Sequence, residues 1–276
     1  MIRLVSYILS SIFLLYSCSK QDTGYSFFVA GHTYGSPLDT LPGLHPPFVH
    51  DFDYLHTLPK MKFGVLTGDM VYHSRSKYWD IVDKELSTLS IPIYFVAGNH
   101  DEGNGSLYQS RYGRTYYTFN YLNDLFLVLN PGLAGWNIQD DQLLFLKGQL
   151  EDAQKYRHIF IFFHQVLWQS IDRYADLRIN SKDGKAPSIN FWTEIEPLLK
   201  KLENQIFLFA GDVGATPDKT SFFYDRYDNI TFVASGMGNL IQDNYVIVDV
   251  SQDGKVDIKI RWIGTSITQS VKTLEK

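Results

Sequence analysis

Six polar side chains able to hold a metal ion or move a proton stand directly after apolar runs or in the short loops those runs enter: His32, Asp69, Asn99, His100, His164 and Asp212. Imidazole takes borderline transition metals, whereas carboxylate and amide oxygens take harder ions, so this mixture suits Zn, Mn or Fe. Glycines sit immediately before four of the loops' ligands, at Gly31, Gly68, Gly98 and Gly211. Lacking a Cβ, each lets the backbone turn sharply and come close to an ion. A metal ion can acidify a bound water and stabilise charge on a phosphoryl or carbonyl oxygen, so the chemistry indicated is metal-assisted hydrolysis.

The elements that must position these residues read as strands alternating with helices. Tyr25 to Ala30, Phe63 to Leu66, Ile91 to Ala97, Ile159 to Phe163 and Ile206 to Ala210 are short apolar runs, each ending at one of the loops. Pro47 to Leu58, Ser76 to Leu89, Gln139 to Lys155 and Phe191 to Leu202 carry apolar residues at helical spacing. Tyr116 to Leu129 alternates as a hairpin does, and the tail from Ile230 to Trp262 is rich in strands. In open α/β sheets the carboxyl ends of the strands face a common crevice, so ligands from distant parts of the chain can meet there.

In order, Gly68-Asp69, Gly98-Asn99-His100-Asp101 and Phe162-Phe163-His164 resemble the motifs of the calcineurin-like metallophosphoesterases. The flanking Tyr112 to Phe119 and Gln142 to Leu150 are similar to that family's hairpin and helix. The resemblance implies an α/β fold, a four-layer α/β/β/α sandwich of two mixed sheets flanked by helices. It further implies that Asp69 bridges two ions, that Asn99 and His164 ligate the second, and that His100 contacts the phosphate or leaving group. Asp101 is expected to orient His100 through a hydrogen bond.

Two motifs depart from the family. The first is normally Asp-x-His, and here His32 takes the Asp place and Tyr34 the His place; a shift of two residues puts Ala30 and His32 there instead. The fifth, normally Gly-His-x-His, reads Gly211-Asp212-Val213-Gly214. Carried over residue by residue, Asp69, Asn99, His164 and Asp212 form a full set for one ion, while the other pocket is weakened. Either Tyr72 or Tyr34, with His32 and Asp69, is expected to offset part of that loss: Gly68-Asp69-Met70-Val71-Tyr72 is similar to the purple acid phosphatase motif whose tyrosine binds iron. One or two divalent or transition metal ions are therefore expected.

Composition narrows the remaining classes. Lys and Arg number 25 against 30 Asp and Glu, a net charge of −5, so counterion release gives no reason to expect nucleic acid as a partner. A single cysteine excludes a disulfide within the chain. Cys18 closes Leu15-Tyr16-Ser17-Cys18 after Arg3 and an apolar run, which resembles a bacterial lipoprotein signal with Cys18 as the lipidated residue. The expected organisation is a signal peptide over 1–17, a lipid-anchored linker over 18–24 and one domain over 25–276. No Gly-x-Ser-x-Gly elbow, His-Glu-x-x-His helix or phosphate-binding Gly-rich loop is present. The expected function is hydrolysis of phosphate mono- or diesters at the cell envelope, on a phosphorylated small molecule, sugar or lipid. The altered motifs keep open a catalytically impaired binding or assembly protein.

Overall fold

The computed structural model describes residues 24–38, 41–103 and 106–274. The segment 1–17, expected to be a signal peptide, and Cys18 lie outside them. Twelve strands form two six-stranded sheets among the described residues. The first runs in the order β12 (Ile267–Ser270), β11 (Val256–Trp262), β10 (Asn244–Val250), β1 (Tyr25–Ala30), β2 (Met61–Thr67), β3 (Ile93–Val96). The second runs β4 (Tyr117–Tyr121), β5 (Asp124–Val128), β6 (His158–Phe162), β7 (Gln205–Ala210), β9 (Ile230–Ser235), β8 (Phe222–Tyr227). Both are mixed: β1, β2 and β3 pair in parallel, as do β5, β6, β7 and β9, while the remaining pairs are antiparallel.

Central strands are apolar throughout because each face meets a different layer. In β1, Tyr25, Phe27 and Val29 point into the space between the sheets, while Phe28 and Ala30 point to the helices on the outer face. In β6, Phe160 and Phe162 take the inner side and Ile159 and Ile161 the outer. Stacked and edge-on rings from Phe27, Phe63, Phe126, Phe160 and Phe162 fill the middle. Outside the first sheet lie α1 (Pro46–His50), α2 (Phe52–His56), α3 (Ser76–Ser87), α4 (Asn99–Glu102) and α5 (Leu107–Tyr112); outside the second lie α6 (Asp140–Leu150) and α7 (Glu196–Lys200). The four-layer sandwich expected from the sequence is the fold observed.

Several elements differ from the periodicity reading. The helix expected over Pro47 to Leu58 is two short helices that meet at Asp51. Asp51 is held there by the guanidinium of Arg261 at 2.6 and 2.8 Å, with Arg261 stacked on Tyr54. The helix expected over Phe191 to Leu202 begins as a π turn, Phe191–Ile195, before Pro197 starts α7. The short helices α4 and α5, and the strands β8 and β12, were not legible, because runs of four to six residues carry too little period. Among the described residues no helix is long and apolar enough to cross a membrane.

The two sheets touch at the carboxyl ends of β1, β2, β6 and β7. A methyl group on Gly211 would stand 2.0 Å from the carbonyl oxygen of Thr67, so only glycine lets the loop after β7 lie against the end of β2. Here the amide of His32 donates to Gly68 at 3.1 Å, and those of Gly211 and Asp212 donate to the His164 carbonyl at 3.0 Å.

Candidate metal centre

Asp69, His164 and Asp212 converge at this rim. One ligand atom from each lies within 4.8 Å of the other two, and all three residues are buried. His164 Nε2 is 3.3 Å from Asp69 Oδ2 and 3.8 Å from Asp212 Oδ1. Its other nitrogen, Nδ1, lies 2.9 Å from the Thr67 carbonyl, which can only accept, so Nδ1 carries the proton and Nε2 keeps its lone pair when the ring is neutral. That Nε2 is fully buried and has no aligned hydrogen-bond partner. An unpartnered nitrogen facing two carboxylates, its tautomer fixed from behind, is the donor set a divalent ion needs.

The same backing recurs at the two other histidines of the crevice. His32 Nδ1 donates to the Met237 carbonyl at 2.9 Å, leaving Nε2 3.8 Å from Asp69 Oδ2. His100 Nδ1 donates to the Tyr72 carbonyl at 2.8 Å. The His164 and His32 rings thus both turn Nε2 toward Asp69, and in His100 Nε2 is the nitrogen left uncommitted. Asp69 has φ of +56° and His32 +50°, conformations that non-glycine residues adopt only when their surroundings impose them. A methyl on Gly98 would stand 2.3 Å from Asp69 Oδ1, which shows how closely the neighbouring loop grips that carboxylate.

Electrostatics follow from this packing. Burial disfavours charge on His164, but Asp69 and Asp212 outweigh it and push the imidazole up to about 10. Burial raises Asp69, yet His164 and His32 outweigh it and hold that carboxyl well below the usual range. Burial, with Asp69 nearby, lifts Asp212 to about 7, and burial lowers His32 to about 4. Without an ion, a proton on His164 offsets the charge of one of the two carboxylates.

Asp101 does something other than the resemblance implied. Its carboxylate accepts the amides of Asp69 (2.7 Å), Met70 (2.8 Å), Val71 (3.3 Å) and Gly98 (2.9 Å) and does not bond His100. The two residues are consecutive on α4, so their side chains diverge by about 100°. His100 takes the crevice side and Asp101 the interior. The orienting acceptor for His100 is the main chain of Tyr72, one residue type that no side-chain motif could reveal.

Asn99 opens α4 and is exposed, and its side chain makes no hydrogen bond among the described residues. It borders the cluster through the next amide, which His100 donates to Asp69 Oδ1 at 3.1 Å. The Tyr72 ring lies 5.6 Å from His100 and 5.5 Å from Tyr34, which is itself 4.3 Å from His32, so these tyrosines line an aromatic wall of the crevice. Burial and Asp69 keep the Tyr34 phenol protonated, well above its ordinary range. Arg111, on the neighbouring helix α5, is taken up by Asp80 and Asp83 on α3.

A family model for calcineurin-like phosphoesterases matches residues 39–195, more than half of the chain. The chain belongs to the calcineurin-like phosphoesterase family. Within the family, it is 33% identical over 144 residues to the serine/threonine-protein phosphatase CPPED1 of Pongo abelii, covering 44% of this chain and 46% of that protein. The human CPPED1 is 31% identical over 144 residues, with the same shares. The chain thus spans about half the length of these relatives. A solved structure of a putative 5'-nucleotidase from Staphylococcus aureus, in complex with alpha-ketoglutarate, aligns with a TM-score of 0.49 at 11% identity, over 86% of this chain and 53% of that one. The family implies divalent metal ions, and Asp69, His164 and Asp212 are the residues fitted to hold one.

Proposed function

We propose that the protein is a metal-dependent hydrolase of phosphate mono- or diesters that works chiefly with one ion, held by Asp69, His164 and Asp212 with Asn99 at the rim. The observation that carries this reading is the buried His164 Nε2, backed by Thr67 and facing two carboxylates. A bound divalent ion would supply an acidified water and stabilise charge on the phosphoryl oxygens. A second ion has only His32, Asp69 and the tyrosines Tyr34 and Tyr72 to hold it.

His100 supplies the proton in this scheme. Its Nδ1–H is committed to the Tyr72 carbonyl, so Nε2 is the atom that donates to the departing alkoxide once protonated. The fixed ring also orients the substrate's phosphate against the carboxylate cluster. The test is His100→Gln in the metal-loaded protein. With a chromogenic phosphomonoester and diester, kcat falls by roughly 10²–10⁴-fold, while metal content and Tm stay at the parent values. A parent protein that binds metal yet turns over neither ester would instead support the impaired binding protein.

The substrate class, a phosphorylated small molecule, sugar or lipid, and the cell-envelope location are part of the same proposal. The location rests on Cys18 in its signal-like setting. In bacterial cells the protein partitions into the detergent phase, and Cys18→Ala moves it to the aqueous phase; partitioning unchanged by the substitution removes the anchor from the reading.

A further inference from the structure

The end of the sandwich opposite the metal cluster holds a cavity of about 680 Å³ that the scheme above leaves unused. It lies where β7 and β9 begin, beside the turn between β10 and β11, with Gln205, Asn229, Gly254 and Lys255 in its wall. The ligands His164 and Asp212 follow the other ends of β6 and β7, so the length of a six-residue strand, roughly 17 Å, separates the two sites.

The charge of this cavity runs against that of the chain. Arg226, Lys255 and Lys272 line it together with Asp228 and Asp253. Both carboxylates are already matched, Asp253 by Lys255 at 2.8 Å and Asp228 by Lys200 at 3.2 Å. Among the described residues the exposed side chains of Arg226 and Lys272 have no ion-pair or hydrogen-bond partner. In a chain of net charge −5, two unmatched cations on one cavity make a local field that attracts anions. Two apolar side chains stand exposed at the same end: Leu122 in the turn that leads into β5, and Leu274 shortly after Val271 of the cavity wall.

The chain enters the fold here as well. Gly24 leads into β1 and packs on the β10–β11 turn, where a methyl on it would lie 3.1 Å from Ser251 Cα and 3.3 Å from the Gln252 amide. Arg157 ties that turn to the start of β6, donating to the Ser251 and Gln252 carbonyls at 3.4 and 3.2 Å. Asp253, Gly254 and Lys255 of the same turn wall the cavity. Six positions separate Gly24 from Cys18, a span of about 20 Å at full extension. A lipid on Cys18 would hold this end near a bilayer, and the cations add what a tether alone lacks, a preferred orientation on an anionic surface.

We infer that this cavity takes the phosphate of an anionic phospholipid headgroup in the bilayer to which Cys18 anchors the chain. The metal crevice then opens away from that bilayer, toward esters arriving from the aqueous side. The inference rests on the lipid-anchor reading of Cys18.

The test is acetylation of lysines by a water-soluble reagent, read by mass spectrometry, on the full chain made in bacterial cells and added to preformed vesicles. The vesicles are phosphatidylcholine alone, or phosphatidylcholine with phosphatidylglycerol as the anionic lipid. With phosphatidylglycerol, Lys255 and Lys272 react roughly tenfold more slowly, as for a face covered nine-tenths of the time, and 1 M salt removes the difference. Lys182 is the control at the other end. It stands two residues after Asn180, whose amide donates to the Asp212 carbonyl at 3.0 Å, and its rate is the same in both vesicles. In the double variant Arg226→Gln with Lys272→Gln, Lys255 reacts at its phosphatidylcholine rate. Equal Lys255 rates in the two vesicles overturn the site, as does slowing shared by Lys182 or kept in the double variant. A chain left in the supernatant of both vesicles overturns the anchor reading, and the cavity is then tested with soluble glycerophosphoglycerol: slowed Lys255 retains the phosphate site, and an unchanged rate overturns it. Inorganic phosphate that slows Lys255 as strongly as glycerophosphoglycerol overturns the lipid as the occupant.

Discussion

Asp69→Asn removes the bound ion and lowers kcat/KM on a phosphoester by roughly 10³-fold or more, since the ion's charge stabilisation is worth several kcal/mol and each 1.4 kcal/mol is tenfold. Asn is the informative replacement because the position has φ of +56°, which Asn tolerates better than Ala. It also keeps an oxygen for the His100 amide now donating to Oδ1. What it removes is the charge that faces both His164 and His32. The parent protein should show the matching pH dependence. His164, raised to about 10 without an ion, favours the folded state fully below its ordinary value near 6.5, and loses that contribution as pH rises through about 10. An entering ion must displace that proton, so metal affinity rises with pH across the neutral range, and more steeply below about 7, where Asp212 also binds a proton. Calorimetric titration of Mn at pH 6, 7 and 8 in buffers of different ionisation enthalpy measures the proton release. Metal binding that is independent of pH, or unimpaired in Asp69→Asn, would remove Asp69 and His164 from the ligand set.

Asp101→Ala destabilises the fold by about 3–5 kcal/mol, because it strips the acceptor from four amides in a fully buried turn. For a protein of this size that corresponds to a Tm lower by roughly 10 °C. Metal affinity falls as well, since the amide of Asp69 is one of the four. Thermal unfolding followed by circular dichroism, alongside His100→Gln as a stable control, separates this role from the one the resemblance implied. An Asp101→Ala protein with parental Tm and metal content but reduced kcat would return Asp101 to the orientation of His100.

That the central strands are buried on both faces could be read from their apolar runs, whereas which face meets the other sheet was decided by the packing. Tyr25, Phe27 and Val29 against Phe28 and Ala30 is a period-2 pattern in which both faces are apolar, and only a strand buried between two layers permits that. The loops at the ends of β1, β2, β3 and β7 were legible for a related reason: a polar side chain next to a glycine directly after an apolar run has few other uses. Short elements left no such signature. The strand β8 is partly buried except at the exposed Arg226, so its two faces do not alternate clearly.

The sequence by itself determined that His32, Asp69, His164 and Asp212 stand at strand ends and that glycine precedes all of them but His164, because chain-local sterics and hydrophobic periodicity act through neighbours only. The tertiary structure alone decided what each residue does there. Which nitrogen of His164 is free depends on the Thr67 carbonyl 97 positions away, and His100 depends on Tyr72 in the same manner. Asp101 serves four amides rather than the adjacent imidazole. Hydrogen bonds to main-chain carbonyls and amides carry no side-chain signature, so the partners that fix tautomer, charge and direction become visible only once the sheets have packed.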